Sequence, residues 1–222
     1  MKESLKRGQK VLRLRVLLAT TNPDKRKEIL AILRGLPTEV VLPREIGISL
    51  DVKEDGASLL ENAKKKALAF ARESGLAALA EDTGLEVDAL GGAPGVFSAR
   101  YAGENATYAQ NYRKLLGELR GVPPSKRTCR FRTVVVLARR GRVLITAEGT
   151  VRGRVSLRPH GSGGFGYDPV FFYPPLGKTF AQLLPYEKNH VSHRARALRE
   201  FRKKLRLFLT TRERFRQDHK HK

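Results

Sequence analysis

Apolar positions in this chain recur with two periods, and the switch between them lays out the elements. Val11 to Ala19, unbroken in apolar character from Val16, predicts a strand. Pro23 to about Arg34 predicts a helix with Ile29, Leu30, Ile32 and Leu33 on one face, Asn22 as N-cap and Pro23 in the first helical position. Residues 38–43, TEVVLP, read as a short second strand. Residues 57–75 predict a strong helix: Ser58 with Glu61 matches a capping box, and Gly75 ends it. LAALAED, 76–82, predicts a strand with two acids at its end, followed by TGLEVDAL and a Gly/Pro loop. Residues 105–119 read as helix, and 127–155 as two long strands around a turn near Arg140 and Gly141. A Gly/Pro-rich loop at 158–178 encloses a short apolar strand, and 189–209 form a basic amphipathic helix. Strands alternate with helices early and form a hairpin later, so the expected fold is α/β with a mixed sheet.

Length and composition bound this picture. The 222 residues suit one large domain or two closely fused lobes, without internal repeat, low-complexity tract or linker. The expected organisation is a basic extension at 1–10, one domain at 11–209 and a basic tail at 210–222. Apolar residues at 41% and charged residues at 30% describe a soluble globular protein. No stretch approaches the roughly 18 consecutive apolar residues of a membrane span. The basic N-terminus lacks the apolar core of a secretory signal. A single cysteine, Cys129, excludes an internal disulfide and fits a reducing cytoplasm. A net charge of +22 implies polyanionic partners, nucleotide or nucleic acid, although a solvated basic surface accounts for it equally well.

Five stretches carry candidate chemistry. In ATTNPDK, Thr20, Asn22 and Lys25 sit where a strand gives way to a helix. Lys25, Arg26 and Lys27 crowd the end of that helix that is already positive. Free amides at a helix start, with added hydroxyl and ammonium donors, make an anion site, and a polyphosphate would balance these cations; the same residues also read as an ordinary capped helix. In residues 80–104, Asp82 beside Glu81 can hold Mg²⁺ or accept a proton from water, and Arg100 can neutralise phosphate. An acid bonded to nearby amides in a turn is the plainer reading. In GSGGFGYDP, 161–169, Phe165 offers a flat face to a base, and Asp168 orients a donor or is structural. Lys188, His193 and Arg194 cluster at the entry to the last helix, where donors meet a purine 6-oxo group or phosphate; the plainer reading is a basic helix start with Ser192 as its cap and a structural His193. In KEDGASLLENAKKKA, Glu54 supports the metal and Lys66 faces phosphate, unless this is only a solvated helix face.

Taken together, LLATTNPDKRKEI, LLENAKKKA, AEDTGLEVDALGGAPGVFSARYAGE, GGFGYDPVFF, GKTFAQL and EKNHVSHRARAL resemble the signature blocks of the inosine triphosphate pyrophosphatase family, in the family's order from about Val16 to Leu207. The resemblance implies an elongated, two-lobed α/β subunit around a long twisted mixed sheet, with the nucleotide in a cleft between the lobes. It implies a homodimer that hydrolyses ITP, dITP and XTP to the monophosphate and pyrophosphate with Mg²⁺. Carried onto this sequence, the phosphate-binding segment is Thr20, Thr21, Asn22, Pro23, Asp24 and Lys25. The catalytic, metal-associated acid is Asp82, with Glu54 as the second metal residue and Thr83 as an adjacent substrate contact. The base-and-sugar loop is Phe165, Gly166, Tyr167 and Asp168, and the remaining substrate contacts are Lys188, His193 and Arg194. Arg158 stands where the family often has an acid. Two other readings compete: a related pyrophosphatase preferring pyrimidines, and a basic RNA- or DNA-binding protein. On the enzyme reading, nucleic-acid contact is at most non-specific.

Overall fold

The computed structural model describes residues 14–36 and 38–218, with side chains to Thr210. The expected extension at 1–10, the start of the first strand at 11–13 and residues 219–222 lie outside the described residues. Seven strands form one sheet: β1 (Leu14–Leu18), β2 (Thr38–Val41), β3 (Ala77–Val87), β4 (Thr128–Arg139), β5 (Arg142–Val155), β6 (Phe171–Tyr173) and β7 (Lys178–Thr179). Their spatial order is β2-β1-β3-β4-β5-β6-β7. β1 runs parallel to both neighbours, and every other pairing is antiparallel. Among the described residues five α-helices flank the sheet: α1 (Pro23–Leu33), α2 (Leu59–Ser74), α3 (Tyr108–Glu118), α4 (Pro185–Val191) and α5 (His193–Asp218).

The period of two along β3, β4 and β5 divides the core. Ala77 and Leu79 face the same way as Val135, Leu137, Ile145 and Ala147, beneath Ile29 and Leu33 of α1 and Ala197, Leu198, Phe201 and Leu205 of α5. Ala78 and Ala80 face the other way with Val134, Val136 and Ala138, beneath Ala63, Ala67, Phe70 and Ala71 of α2. Small side chains on both sides of this interface let α2 lie close to the sheet. Further along the same strands a second core forms from Leu85, Val87, Phe131, Val151 and Val155 with Leu115, Phe171 and Phe180. The two lobes therefore share three long strands and are not joined by a linker. The tip of the β4–β5 hairpin has Arg140 at φ 51° and Gly141 at φ 72°, the paired positive values of a two-residue primed turn, whose twist matches the strands.

Four expectations change. Glu81 and Asp82 do not end a strand: β3 runs through Thr83 and Gly84, because Gly84 lets the backbone of Gly95 pass, and a Cβ there would lie 2.5 Å from the Gly95 oxygen. The last helix is two helices, since Ser192 is extended (φ −66°, ψ 159°) and its hydroxyl accepts from the Ala195 amide, ending α4 and starting α5. α5 continues to Asp218, so the boundary drawn at 209 falls inside a helix. In the Ser58–Glu61 pair, Glu61 reaches the Ala57 amide and not that of Ser58.

α5 crosses β5 at Gly149, where an added Cβ would lie 2.2 Å from the Ala197 nitrogen and 2.3 Å from the His193 oxygen. Both are backbone atoms that no rotamer change relieves. Gly149→Ala should therefore destabilise the protein by about 3 kcal/mol. Gly117→Ala, in the last turn of α3 with nothing near the new methyl group, should stabilise it by roughly 0.5 kcal/mol. Urea midpoints of the two variants measure the contrast.

Candidate active site

β3 outruns its parallel neighbour. β1 pairs with it only as far as Leu18 opposite Leu79, and the Ala19 amide makes the last bond to the Leu79 oxygen at 2.8 Å. The edge of β3 closes again beyond Gly84, where the Leu85 amide donates to Ser98 Oγ (2.9 Å) and the Val87 amide to the Ala93 oxygen (3.2 Å). Between these points lies a cleft of about 710 Å³, lined by Asp82 and Thr83. Neighbouring strand residues point to opposite faces, so Glu81 turns toward α1 and α5 and Asp82 toward α2.

On the α5 face, buried Glu81 accepts two parallel bonds from Arg194, Nε at 2.8 Å and Nη2 at 2.9 Å, with Lys25 Nζ at 3.4 Å. Arg194 Nη1 also donates to Glu28 (2.5 Å), and Lys188 Nζ bonds Glu28 (2.7 Å) and Asp168. This is one continuous ladder of alternating charge from Lys25 to Asp168. Burial alone would raise the Glu81 pKa, but Arg194 and then Lys25 hold it down at about 2. Burial likewise opposes the charge on Arg194, and Glu81 and Glu28 restore it, leaving its pKa above the ordinary value. For Asp168 burial prevails over Lys188, and its pKa is raised. His193 is buried among these cations, so burial and then Arg194 push its pKa well below the ordinary 6.5. Its imidazole is neutral near pH 7, stacked on Phe131 at 4.4 Å, and its Nδ1 is without a hydrogen-bond partner.

Phe165 lies over the end of this ladder, with Lys188 Nζ 4.6 Å and Arg194 Cζ 5.4 Å from its ring centre. Its amide donates to Asp168 Oδ2 at 2.8 Å. The loop reaches this position through Gly164, at φ 68°, where a Cβ would lie 2.1 Å from the Asp168 carboxylate.

On the α2 face, Asp82 accepts from Asn62 Nδ2 (3.1 Å) and the Thr83 amide (2.9 Å), with Lys66 Nζ at 3.8 Å. Lys66 also pairs with Glu54 at 3.0 Å, and Arg100 Nη2 donates to the Glu54 carbonyl at 2.6 Å. The Asp82 pKa is raised, by burial first and also by Glu54, against the pull of Lys66. Lys66 holds Glu54 lower than usual in spite of its burial. Two carboxylates facing each other across one ammonium suit a hard divalent cation that takes its other ligands from phosphate and water. Among the described residues no group of three or more His, Cys, Asp or Glu forms an all-protein metal cage.

At the strand-to-helix turn the expectation of free amides is corrected. Asn22 Oδ1 already accepts from the amides of Asp24 (2.9 Å) and Lys25 (3.1 Å), so the anion donors of this turn come from Thr20, Thr21 and Lys25, all of which line the cleft. Lys25 is balanced by Glu81. Of the expected site residues, Pro23 and Asp24 do not line the cleft. The others do: Thr20, Thr21, Asn22, Lys25, Glu54, Lys66, Asp82, Thr83, Arg100, Phe165, Gly166, Tyr167, Asp168, Lys188, His193 and Arg194. Glu28, Asn62 and Tyr108 were not expected. Glu28 had a signal in its spacing, three residues from Lys25 and one turn before Ile32 on the inner face of α1. Asn62 had one as a polar residue set among Leu59, Ala63 and Ala67. Tyr108 had none.

An open mixed sheet with a cleft beyond a strand end, where six cationic side chains face six acidic ones beside an aromatic platform, defines a phosphate-handling nucleotide site. The chain belongs to the Ham1 family, whose model matches residues 16–204. It is 48% identical over 188 residues to the dITP/XTP pyrophosphatase of Caldanaerobacter subterraneus subsp. tengcongensis, covering 83% of this chain and 92% of that protein. It is 48% identical over 184 residues to the Geobacter sulfurreducens protein of the same name, covering 83% and 92%. The HAM1 protein structure from Coxiella burnetii superimposes with a TM-score of 0.80 at 39% identity, over 86% of this chain and 98% of that one.

Two measurements probe the buried charges. Glu81→Gln leaves Arg194 short of a counter-charge and should cost about 3 kcal/mol or more of stability, read by urea unfolding at pH 7. His193 binds its proton more weakly folded than unfolded, so its contribution is complete above pH 6.5 and declines below it, by at most about 1.4 kcal/mol per pH unit. Unfolding at pH 5, 6 and 7 should show this slope in the parent and a shallower one in His193→Phe.

Proposed function

We propose that this chain hydrolyses nonstandard purine nucleoside triphosphates, ITP, dITP and XTP, to the monophosphate and pyrophosphate, clearing them from the nucleotide pool. The carrying observation is Asp82. It is a buried carboxylate of raised pKa at the open edge of β3, between the Lys25 and threonine donors on one side and Lys66 and Glu54 on the other. The names of the relatives, dITP/XTP pyrophosphatases, support the substrate class.

On this reading the triphosphate lies along the cleft with its anionic tail on Lys25, Thr20, Thr21 and Lys66. Asp82 orients a water toward the α-phosphorus and takes its proton as the new P–O bond forms, while the bond to the bridging oxygen breaks and pyrophosphate leaves. Asp82 and Glu54 would hold Mg²⁺, which when bound neutralises phosphate oxygens. Phe165 supports the base. Lys188 and Arg194, fixed by three carboxylates, present donors that suit the 6-oxo acceptor of hypoxanthine or xanthine and oppose the 6-amino donor of adenine. A polar mismatch of this kind supplies discrimination of about 10⁴-fold. The active form is a homodimer in the cytoplasm, where its substrates arise. No helix among the described residues is long and apolar enough to cross a membrane, and nucleic-acid contact is non-specific.

Incubation with Mg²⁺ and ITP, with ATP and CTP in parallel, should release pyrophosphate from ITP alone. Orthophosphate alone would overturn the assignment, turnover of CTP would favour the pyrimidine enzyme, and salt-sensitive RNA binding without hydrolysis would favour the nucleic-acid binder. Asp82→Asn should lower kcat by about 10²-fold or more with an unchanged unfolding midpoint to within about 1 kcal/mol.

A further inference from the structure

Tyr108 is the first residue of α3, in the lobe that carries Phe165, yet its hydroxyl reaches the other lobe. It accepts from Asn22 Nδ2 at 3.0 Å and lies 3.3 Å from Asp24 Oδ2, to which it donates. Its ring centre is 5.9 Å from that of Phe165. The backbone beneath it is rigid. The Thr107 side chain caps α3, and buried Asn111 bonds the Ala99 oxygen and the Ala102 amide, tying α3 to the turn at 95–100.

Both partners matter to the phosphate end. Asn22 Oδ1 takes the first two amides of α1, and the Tyr108 hydroxyl accepts from Nδ2 at the other end of the same side-chain amide, so the cap is held from both ends. Asp24 is the one acid of the TTNPDK turn, and it sits at the rim, outside the cleft lining that includes Lys25. A carboxylate turned inward there would pair with Lys25 and repel a polyphosphate, an effect that a low-dielectric cleft magnifies.

We propose that Tyr108 is a positioning residue for the triphosphate: its hydroxyl locks the Asn22 cap and holds the Asp24 carboxylate at the rim, leaving Lys25 to the substrate. The inference rests on the nucleotide reading above and adds to it a residue that touches neither the reacting atoms nor the metal carboxylates. It acts through Asn22 and Asp24, so its loss falls on binding and not on the chemical step.

The test is Tyr108→Phe, which keeps the ring beside Phe165 and deletes only the hydroxyl. Pyrophosphate release from ITP by the parent protein is measured first, and its absence would refute the parent reading independently of Tyr108. Given parent activity, the variant should show KM for ITP raised by roughly five- to tenfold with kcat within about twofold. Product inhibition by inorganic pyrophosphate should weaken by the same factor, because the defect lies at the phosphate end. Adding Asp24→Asn to Tyr108→Phe should return KM and the pyrophosphate inhibition constant toward the parent values. An unchanged KM in Tyr108→Phe, a loss confined to kcat, or a KM defect that Asp24→Asn does not relieve would overturn the proposal.

Discussion

The site depends on a mismatch in strand length. β1 stops at Leu18 while β3 continues to Val87, so a stretch of β3 in the middle of the sheet has a neighbour on one side only. Buried backbone cannot be left in this way without partners, and the protein answers with a polar cleft in place of a further strand. The pleat then makes two sites from adjacent residues. Glu81 falls on the face covered by α1 and α5, and Asp82 on the face covered by α2. Each helix contributes the cations its side requires: Lys25 and Arg194 for Glu81, Lys66 for Asp82.

The two faces differ in purpose because their acids differ in environment. Glu81 is saturated by a bidentate guanidinium and stays charged to about pH 2; it organises Arg194 and Lys25 and has no capacity left for a proton. Asp82 has weaker partners, an amide, a backbone N–H and a shared ammonium, and Glu54 as an unfavourable neighbour. That is the environment of a carboxylate that can exchange one partner for a cation or a proton. Under the proposed function, the divergent pKa directions of these two consecutive acids fit Glu81 as the structural carboxylate and Asp82 as the reactive one. The ladder through Glu28 and Lys188 to Asp168 extends the same rigidity to the base end, so the donors beneath Phe165 are set before any ligand arrives.

Much of this was legible in residue order, for physical reasons that differ by element. The N-terminal turn was readable because Asn-Pro has few conformational options, and α1 begins at Pro23 as expected. The acids were visible as charges against an apolar strand, but their mid-strand position was not. Thr83-Gly84 has the composition of a turn, and only the passage of Gly95 explains the glycine. Ser192 was readable as a cap at a helix start, and its hydroxyl does accept from the Ala195 amide; the turn of helix before it was not separable because the basic amphipathic pattern continues across the serine. The capped first turn shows how a local rule misleads: the same asparagine that announces a helix start also occupies the amides that would otherwise bind an anion. Long-range partners such as Glu28 with Arg194, and Tyr108 with Asn22, were beyond reach, since each contact joins segments that only the sheet order brings together.

The central claim is that water, aligned at Asp82, attacks the α-phosphorus. Hydrolysis of ITP with Mg²⁺ in ¹⁸O-enriched water, followed by mass analysis of both products, tests it directly. Attack at the α-phosphorus places one labelled oxygen in the inosine monophosphate and none in the pyrophosphate. Label in the pyrophosphate would mean attack at the β-phosphorus, and the alignment of Asp82 with the substrate described here would be wrong.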